Sequence, residues 1–317
     1  MLDELKWANK WLTAGHNIVL AVVSETWGSA PRAKGSLMVI HKDGHFEGSV
    51  SGGCVEGSVI SEATALMGQN SSKSLNFTVA SEDAWQVGLA CGGKIQIQLF
   101  PLHADGGEAL GAAIDAFETR QFGELSFNKE ISHAQFILYE STGTDTALLT
   151  QTDETLTLLI QPDPVLFIVG AVHIAQALTP IATVCGYKVT VIDPRGLFVE
   201  DRGFKGANII HDWPDEFLDP HPLDNASALV TLTHDPKIDD AALLKALTSN
   251  AFYIGSLGSK KTHAARLKRL KNKGITEENL KRINGPVGLN IGSKTPAEIA
   301  VSIMAQITAA RRGLYAV

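Results

Sequence analysis

The sequence predicts an α/β protein, with a mixed α+β domain over residues 1–161 followed by a doubly wound parallel-sheet domain over residues 162–317. Three observations carry this. The first half holds β-branched or alternating runs joined by short turns, among them the hairpin signal Lys42-Asp43-Gly44. The second half alternates short apolar runs with helix-period segments, the pattern of parallel strands joined by crossover helices. Between the two, Gln161-Pro-Asp-Pro164 reads as a linker. A chain of 317 residues is long enough for two hydrophobic cores.

Taken in order, Met1–His16 reads as a short amphipathic helix with Leu2, Leu5, Trp11 and Leu12 on its apolar side. Its early Asp3 and Glu4 and lack of a long apolar core do not fit a signal peptide. Asn17–Ser24 is a strand, and Trp27–Gly35 is a loop carrying Arg32 and Lys34. Ser36–His41 and His45–Val50 flank the hairpin turn. The strand-like run Gly48–Ser51 breaks at Gly52-Gly53, and a helix is expected from Cys54 to about Gly68. Ser74–Ala80 is a strand. Lys94–Phe100 alternates, with Ile95, Ile97 and Leu99 on one face and Gln96 and Gln98 on the other, which predicts a strand with one wet face. Gly107–Thr119 reads as a helix and Gln135–Ile160 as three short strands. Beyond the linker, strands are expected at Val165–Val169, Tyr187–Ile192, Asn208–His211, Ala228–Thr233 and Phe252–Ile254. Helices are expected at His173–Val184, Asp239–Thr248, Ser259–Lys273 and Pro296–Arg311.

Composition narrows the function classes. The formal charge of −7 argues against nucleic acid as a partner. The apolar runs are far too short to span a membrane. Three scattered cysteines suit a reducing cytoplasm and not a disulfide framework.

The chemistry concentrates at Gly48–Gly57, GSVSGGCVEG. The Gly52-Gly53 pair lets the backbone turn at positive φ and lets a ligand approach the main chain. Cys54 then falls where a helix start leaves N–H groups unpaired, a setting that favours the thiolate, with Glu56 in the same turn. The alternative is a tight turn with Cys54 as a small buried filler. A second glycine-flanked cysteine, Cys91 with Gly92 and Gly93, brings the two readings level. Cys185, at a helix end, is read as core packing. No pair of cysteines has zinc-site spacing.

In the second half, a strand, Gly170, a helix and then Asp193 at the next strand end form the layout of a dinucleotide-binding, Rossmann-like unit. There the acid would take ribose hydroxyls and the helix start a pyrophosphate. Val172 stands where the second glycine should admit the pyrophosphate, so NAD(P) binding is only weakly supported. His173 is left at the helix start, either facing the crevice or as a surface residue. His234-Asp235, after a strand, is a pocket contributor. Ser259–Lys273 carries seven basic residues and no acid. It reads as a solvated face, with a phosphate site at Gly255–Ser259 as the sharper alternative.

Gly28-Ser-Ala-Pro-Arg-Ala-Lys-Gly35, the GSVSGGCVEG run and Cys91-Gly-Gly93 resemble the first domain of the XdhC/CoxI family, accessory proteins of xanthine dehydrogenase and related molybdenum hydroxylases. The Gly170–Ala175 turn, Asp193-Pro-Arg195, Tyr253–Ser259 and Gly288-Leu-Asn-Ile-Gly292 resemble its Rossmann-like domain. The resemblance covers nearly the whole chain. It implies a cofactor chaperone and not a turnover enzyme. Such a protein carries the molybdenum cofactor as cargo, assists its sulfuration together with a cysteine desulfurase, delivers it to an apo-hydroxylase, and self-associates as a homo-oligomer, usually a dimer. The cofactor-binding residues it implies are Arg32, Lys34, Gly52, Gly53, Cys54, Glu56, Cys91, Gly92 and Gly93, with Gly170, His173, Asp193 and Arg195 lining a second crevice. Cys54 and Cys91 are the implied ligands of the cofactor's molybdenum, since soft thiolates suit a sulfur-ligated centre. Two rival classes remain: an NAD(P)-dependent oxidoreductase, and a hydrolase using Cys54 as nucleophile with a histidine base.

Overall fold

The computed structural model describes residues 1–28, 32–78, 93–139, 148–196 and 203–314. They form two compact units, one reaching to Pro162 and the other beginning at Asp163. The fold is α/β, antiparallel in the first unit and parallel in the second.

The first unit is organised on a five-stranded antiparallel sheet of order β3-β2-β1-β5-β4, built from β1 (Ile18–Trp27), β2 (Leu37–His41), β3 (Phe46–Gly48), β4 (Lys73–Thr78) and β5 (Lys94–Leu102). β1 is central, and its run Ile18–Ser24 is buried throughout. Helix α1 (Leu2–Thr13) and α3 (Gly106–Glu118) share a core with Ile18, Leu20, Val22, Phe100 and Leu102 on one face. Helix α2 (Glu56–Leu66) covers the opposite face through Val59, Ala63 and Leu66, against Val19, Ala21, Ile97 and Leu99. A second antiparallel sheet has order β7-β6-β9-β8: β6 (Gly123–Asn128), β7 (Ala134–Leu138), β8 (Leu149–Gln151) and β9 (Thr155–Ile160). Its Leu125, Phe127, Leu156 and Leu158 join the α1/α3 core, where Phe100 stacks on Phe127.

This packing corrects the expected wet face of β5. Both faces are covered, so Gln98 is buried and its Nε2 donates to Ser72 Oγ at 2.7 Å. Gln96 Oε1 accepts from Ser24 Oγ at 3.2 Å. Alternation in the sequence reports polarity, and here the polar side is satisfied by neighbours and not by water.

The second unit is a six-stranded parallel sheet of order β12-β11-β10-β13-β14-β15: β10 (Val165–Val169), β11 (Lys188–Ile192), β12 (Ala207–Ile210), β13 (Ser227–Thr231), β14 (Tyr253–Ser256) and β15 (Ile283–Asn284). α4 (His173–Val184) and α9 (Pro296–Arg311) pack on one face through Ala175, Leu178, Ile303 and Ile307. α5 (Pro214–Leu218), α6 (Pro236–Leu247), α7 (Lys260–Asn272) and α8 (Glu277–Lys281) cover the other. The order turns back between β10 and β13, so the crevice at the carboxyl ends of those strands is the place where such sheets bind ligands. No helix among the described residues is long and apolar enough to cross a membrane.

Candidate functional site

In the first unit, β3 ends at Gly48, whose φ of +86° turns the chain toward α2. A Cβ there would lie 2.4 Å from the Leu37 carbonyl oxygen, so the position admits only glycine. The following turn is fixed by a buried carboxylate. Glu56 Oε1 accepts from Ser49 Oγ at 2.7 Å, Val50 N at 3.2 Å and Ser51 N at 2.8 Å. Its Oε2 accepts from Gly53 N at 3.0 Å and from Ser51 Oγ. Burial by itself would raise the Glu56 pKa. The donors from Ser51 and Ser49 outweigh it and bring the pKa down to about 2. Glu56 is therefore the charged keystone of its own turn, and its oxygens face the protein and not a ligand.

The two serines extend the network. Ser51 Oγ accepts from Cys54 N at 3.0 Å and Val55 N at 2.9 Å, and Ser49 Oγ accepts from Gly52 N at 2.9 Å. Two expectations change as a result. The helix begins at Glu56 and not at Cys54, and the N–H groups at Gly53, Cys54 and Val55 are paired, not free. What the turn presents is the half-exposed Cys54 thiol, a free cysteine, beside exposed Gly52 and Gly53 at φ of +78° and +114°. The filler reading of Cys54 does not hold. The sequence reading overlooked Ser49 and Ser51; their signal was three short-reach polar groups, two serines and a glutamate, spaced around a glycine pair.

Beside this turn, a groove of about 430 Å³ runs between α2 and the edge strand β4, lined by Gly57, Ser58, Ser61, Leu75 and Phe77 among others. A second cavity of about 500 Å³ adjoins it at Asn76 and Phe77 and reaches Trp27, Gly28 and Lys94. Trp27 is 50% exposed at the end of β1. Arg32 is exposed. Lys34 pairs with Glu25, which also accepts from Gln151 Nε2 at 3.1 Å, so the lysine's charge has a partner within the chain. Gly93 immediately precedes β5. Cys91 and Gly92 lie outside the described residues. Among the described residues no group of three or more histidine, cysteine or acidic side chains could hold a metal ion.

In the second unit, Gly170 has φ of +110°, and a Cβ there would sit 2.6 Å from Thr233 Cγ2 across the crevice. Asp193, fully buried, accepts from Ala171 N at 2.7 Å and Arg195 N at 3.0 Å, and from Arg195 Nε at 2.9 Å and Nη2 at 2.8 Å. Burial opposes its charge, but the Arg195 guanidinium and the two N–H groups prevail and hold its pKa below the ordinary value. The acid expected to take ribose hydroxyls thus has both oxygens engaged within the chain. His173 is exposed at the start of α4. Asp235 caps α6, accepting from Lys237 N at 2.9 Å, and His234 is exposed at φ of +63°. Cys185 is exposed at the end of α4, which corrects its assignment to the core. The expected solvated face of α7 is kept by Lys260, Lys261, Lys268, Lys271 and Lys273, all exposed, but two of its basic residues turn inward: Arg266 is 2% exposed, and Arg269 forks onto Asp240 at 2.8 and 2.9 Å.

Two family models match in chain order, the XdhC and CoxI family over residues 11–78 and the XdhC Rossmann domain over residues 166–307. The chain is 29% identical to the molybdenum cofactor insertion chaperone PaoD of Escherichia coli K12 over 308 residues, covering 97% of this chain and 87% of that protein. It is 30% identical to a probable xanthine dehydrogenase subunit of Bacillus subtilis 168, covering 98% of this chain and 97% of that one. A solved Bacillus halodurans structure, described as a xanthine dehydrogenase, shares the fold with a TM-score of 0.66 at 24% identity, over 98% of this chain and 96% of its own. With both domain models matched and a 30% identical relative aligned almost end to end, the chain belongs to the XdhC and CoxI family.

Proposed function

We propose that the protein is a chaperone for the molybdenum cofactor, which it holds as cargo, assists in sulfuration and hands to an apo molybdenum hydroxylase of the xanthine dehydrogenase type. The observation that carries this reading is the Cys54 turn, in which a half-exposed thiol stands on a loop locked by the buried, ionised Glu56. A soft sulfur donor suits a sulfur-ligated molybdenum centre, and the Glu56-locked turn gives the thiol a fixed mount. The name of the Escherichia coli relative supports the same cargo. The groove beside α2 and the exposed Arg32 would receive the pterin and its phosphate, and Cys91 would supply a second thiolate. The protein would act in the cytoplasm as a dimer, receiving sulfur from a cysteine desulfurase.

The rivals fit the geometry less well. An NAD(P)-dependent oxidoreductase needs an acid free for the ribose, and Asp193 is held by Ala171 and Arg195. A Cys54 hydrolase needs a histidine base oriented at the thiol, and among the described residues no histidine is hydrogen-bonded to Cys54: His41 and His45 pair with Asp43, and His103 meets Gln69 and Asn70. Reconstitution tests the proposal. Protein purified with cofactor is mixed with an apo-hydroxylase, and the activity recovered is compared for wild type and Cys54→Ala. Wild type is expected to restore activity and the variant to fail; equal recovery with both rules the reading out.

A further inference from the structure

Two long helices of the second unit carry an acid at their start, whereas α7, like α4, does not. Asp235 caps α6, and Glu298 closes a capping box at α9, so each carries an acid at its positive end. α7 has no acid in its first turn; Lys260 and Lys261 stand there, both exposed. Ser259 caps Thr262 N at 3.1 Å, while the N–H groups of Gly258, Ser259, Lys260 and Lys261 have no acceptor among the described residues. Four unpaired backbone donors and two lysines thus converge at the carboxyl end of β14, on the ligand-binding edge of the sheet.

An independent observation points to the same turn. Arg266 lies beneath it, 2% exposed, with Nη2 donating to the Leu257 carbonyl at 2.7 Å and standing 3.6 Å from where a Gly258 Cβ would be. Its Nε and Nη1 are buried with no hydrogen-bond partner among the described residues. The nearest acid, Asp239, is 4.0 Å away and is itself engaged by Thr233 Oγ1 at 2.7 Å and Thr233 N at 3.3 Å. A cation buried under a helix N-terminus is electrostatically unfavourable in isolation, because the helix dipole adds to its charge. Burial lowers the Arg266 pKa, and the nearby Asp239 and Asp240 offset this only in part. An anion over the turn would compensate both the helix end and the guanidinium.

We propose that Gly258–Lys261 binds the phosphate group of a phosphorylated small molecule, with the backbone N–H groups as ligands, Lys260 and Lys261 at the rim and Arg266 as the buried charge beneath. The site is in the second unit and does not depend on Cys54. It also gives that unit a ligand role without the ribose-binding acid that Asp193 cannot provide.

Calorimetric titration of the full chain with inorganic phosphate, pyrophosphate and ADP at low ionic strength tests it. Wild type is expected to bind pyrophosphate saturably. The Lys260→Glu/Lys261→Glu double variant should weaken binding by about tenfold or more, as should Arg266→Met, whose folding is checked by its melting curve. Lys268→Glu, farther along the same helix, should leave binding unchanged. If Arg266→Met fails to fold, the double variant decides. ADP binding more tightly than pyrophosphate supports the site with a nucleotide as the carrier, and equal binding supports it with the phosphate group as the whole determinant. The proposal is overturned if none of the three anions binds saturably, if the double variant binds as wild type does, or if Lys268→Glu weakens binding as much as the double variant.

Discussion

Replacing Glu56 by glutamine keeps its shape and removes its charge. In the native turn Oε1 accepts three donors and Oε2 two. An amide leaves one oxygen, so its NH₂ group faces either Ser51 Oγ and Gly53 N or the three donors on the other side. The hydroxyl can rotate to accept, but a backbone N–H cannot. At least one buried donor is therefore orphaned and the remaining bonds lose their charge assistance, for a cost of roughly 2–4 kcal/mol. Proton linkage gives a second route to the same quantity. With a folded pKa of about 2 against 4.5 for the free side chain, ionised Glu56 contributes roughly 3 kcal/mol at neutral pH. Because the folded value is depressed, that stability is fully present above pH 4.5 and is lost as pH falls through 2, so that roughly 1 kcal/mol remains at pH 3. Urea unfolding followed by tryptophan fluorescence in a Trp213→Phe background reports the first unit, since the remaining tryptophans all precede residue 86. Glu56→Gln should destabilise that transition by about 3 kcal/mol at pH 7, and the gap should narrow to about 1 kcal/mol at pH 3. A gap below about 0.5 kcal/mol at pH 7, or one that does not narrow on acidification, refutes the clamp.

Four further outcomes follow from other contacts. Asp193→Asn should destabilise the second unit by about 2–4 kcal/mol, because the amide removes the charge that Arg195 and the Ala171 and Arg195 N–H groups bind and turns an NH₂ group toward donors; urea unfolding followed by Trp213 fluorescence reads this. Titration of the Lys260→Glu/Lys261→Glu variant with NADH should show no saturable binding, and tight binding there would contradict the assignment of Asp193 to the Ala171–Arg195 contacts. Gly170→Ala combines φ of +110° with a Cβ 2.6 Å from Thr233 Cγ2 and should cost about 2–4 kcal/mol by the same measurement. Lys34→Ala should change stability by less than about 1 kcal/mol, since its pair with Glu25 is largely solvated (side chains 44% and 27% exposed), and a larger loss would give that contact a structural weight the geometry does not suggest.

The sequence was most legible where local pattern and tertiary context agree. The bounds expected for α4 and α9 and for β10 match those observed, because apolar periodicity, a break at glycine or proline and burial coincide there. β6 went unread although Leu125 and Phe127 alternate in it, since the stretch is short and follows a helix without a strong turn signal. Helix α2 was expected two residues early because Cys54-Val55 looks helical in isolation; the Glu56 and Ser51 bonds hold those residues in the turn. The prominence of Cys54 could be read from its glycines, but the role of Glu56 could not. A carboxylate near a cysteine suits a ligand site, and only the geometry shows that its acceptors are filled from within. The same holds for Asp193. Sequence spacing places an acid at the strand end, and only coordinates reveal that Ala171 N–H and Arg195 already occupy it. Arg266 was hidden by composition, as one basic residue among seven on a helix that otherwise reads as solvent-facing.

Under the proposed function, the Cys54 thiol, on the turn clamped by Glu56, binds the molybdenum cofactor. The direct measurement is the molybdenum and pterin content of protein purified from cells that make the cofactor, by elemental analysis and by fluorescence of the oxidised pterin, for wild type, Cys54→Ala and Cys185→Ala. Wild type and Cys185→Ala are expected to retain both, while Cys54→Ala keeps the wild-type melting temperature and loses about tenfold or more of the bound cofactor. Equal molybdenum and pterin in wild type and Cys54→Ala would contradict the claim.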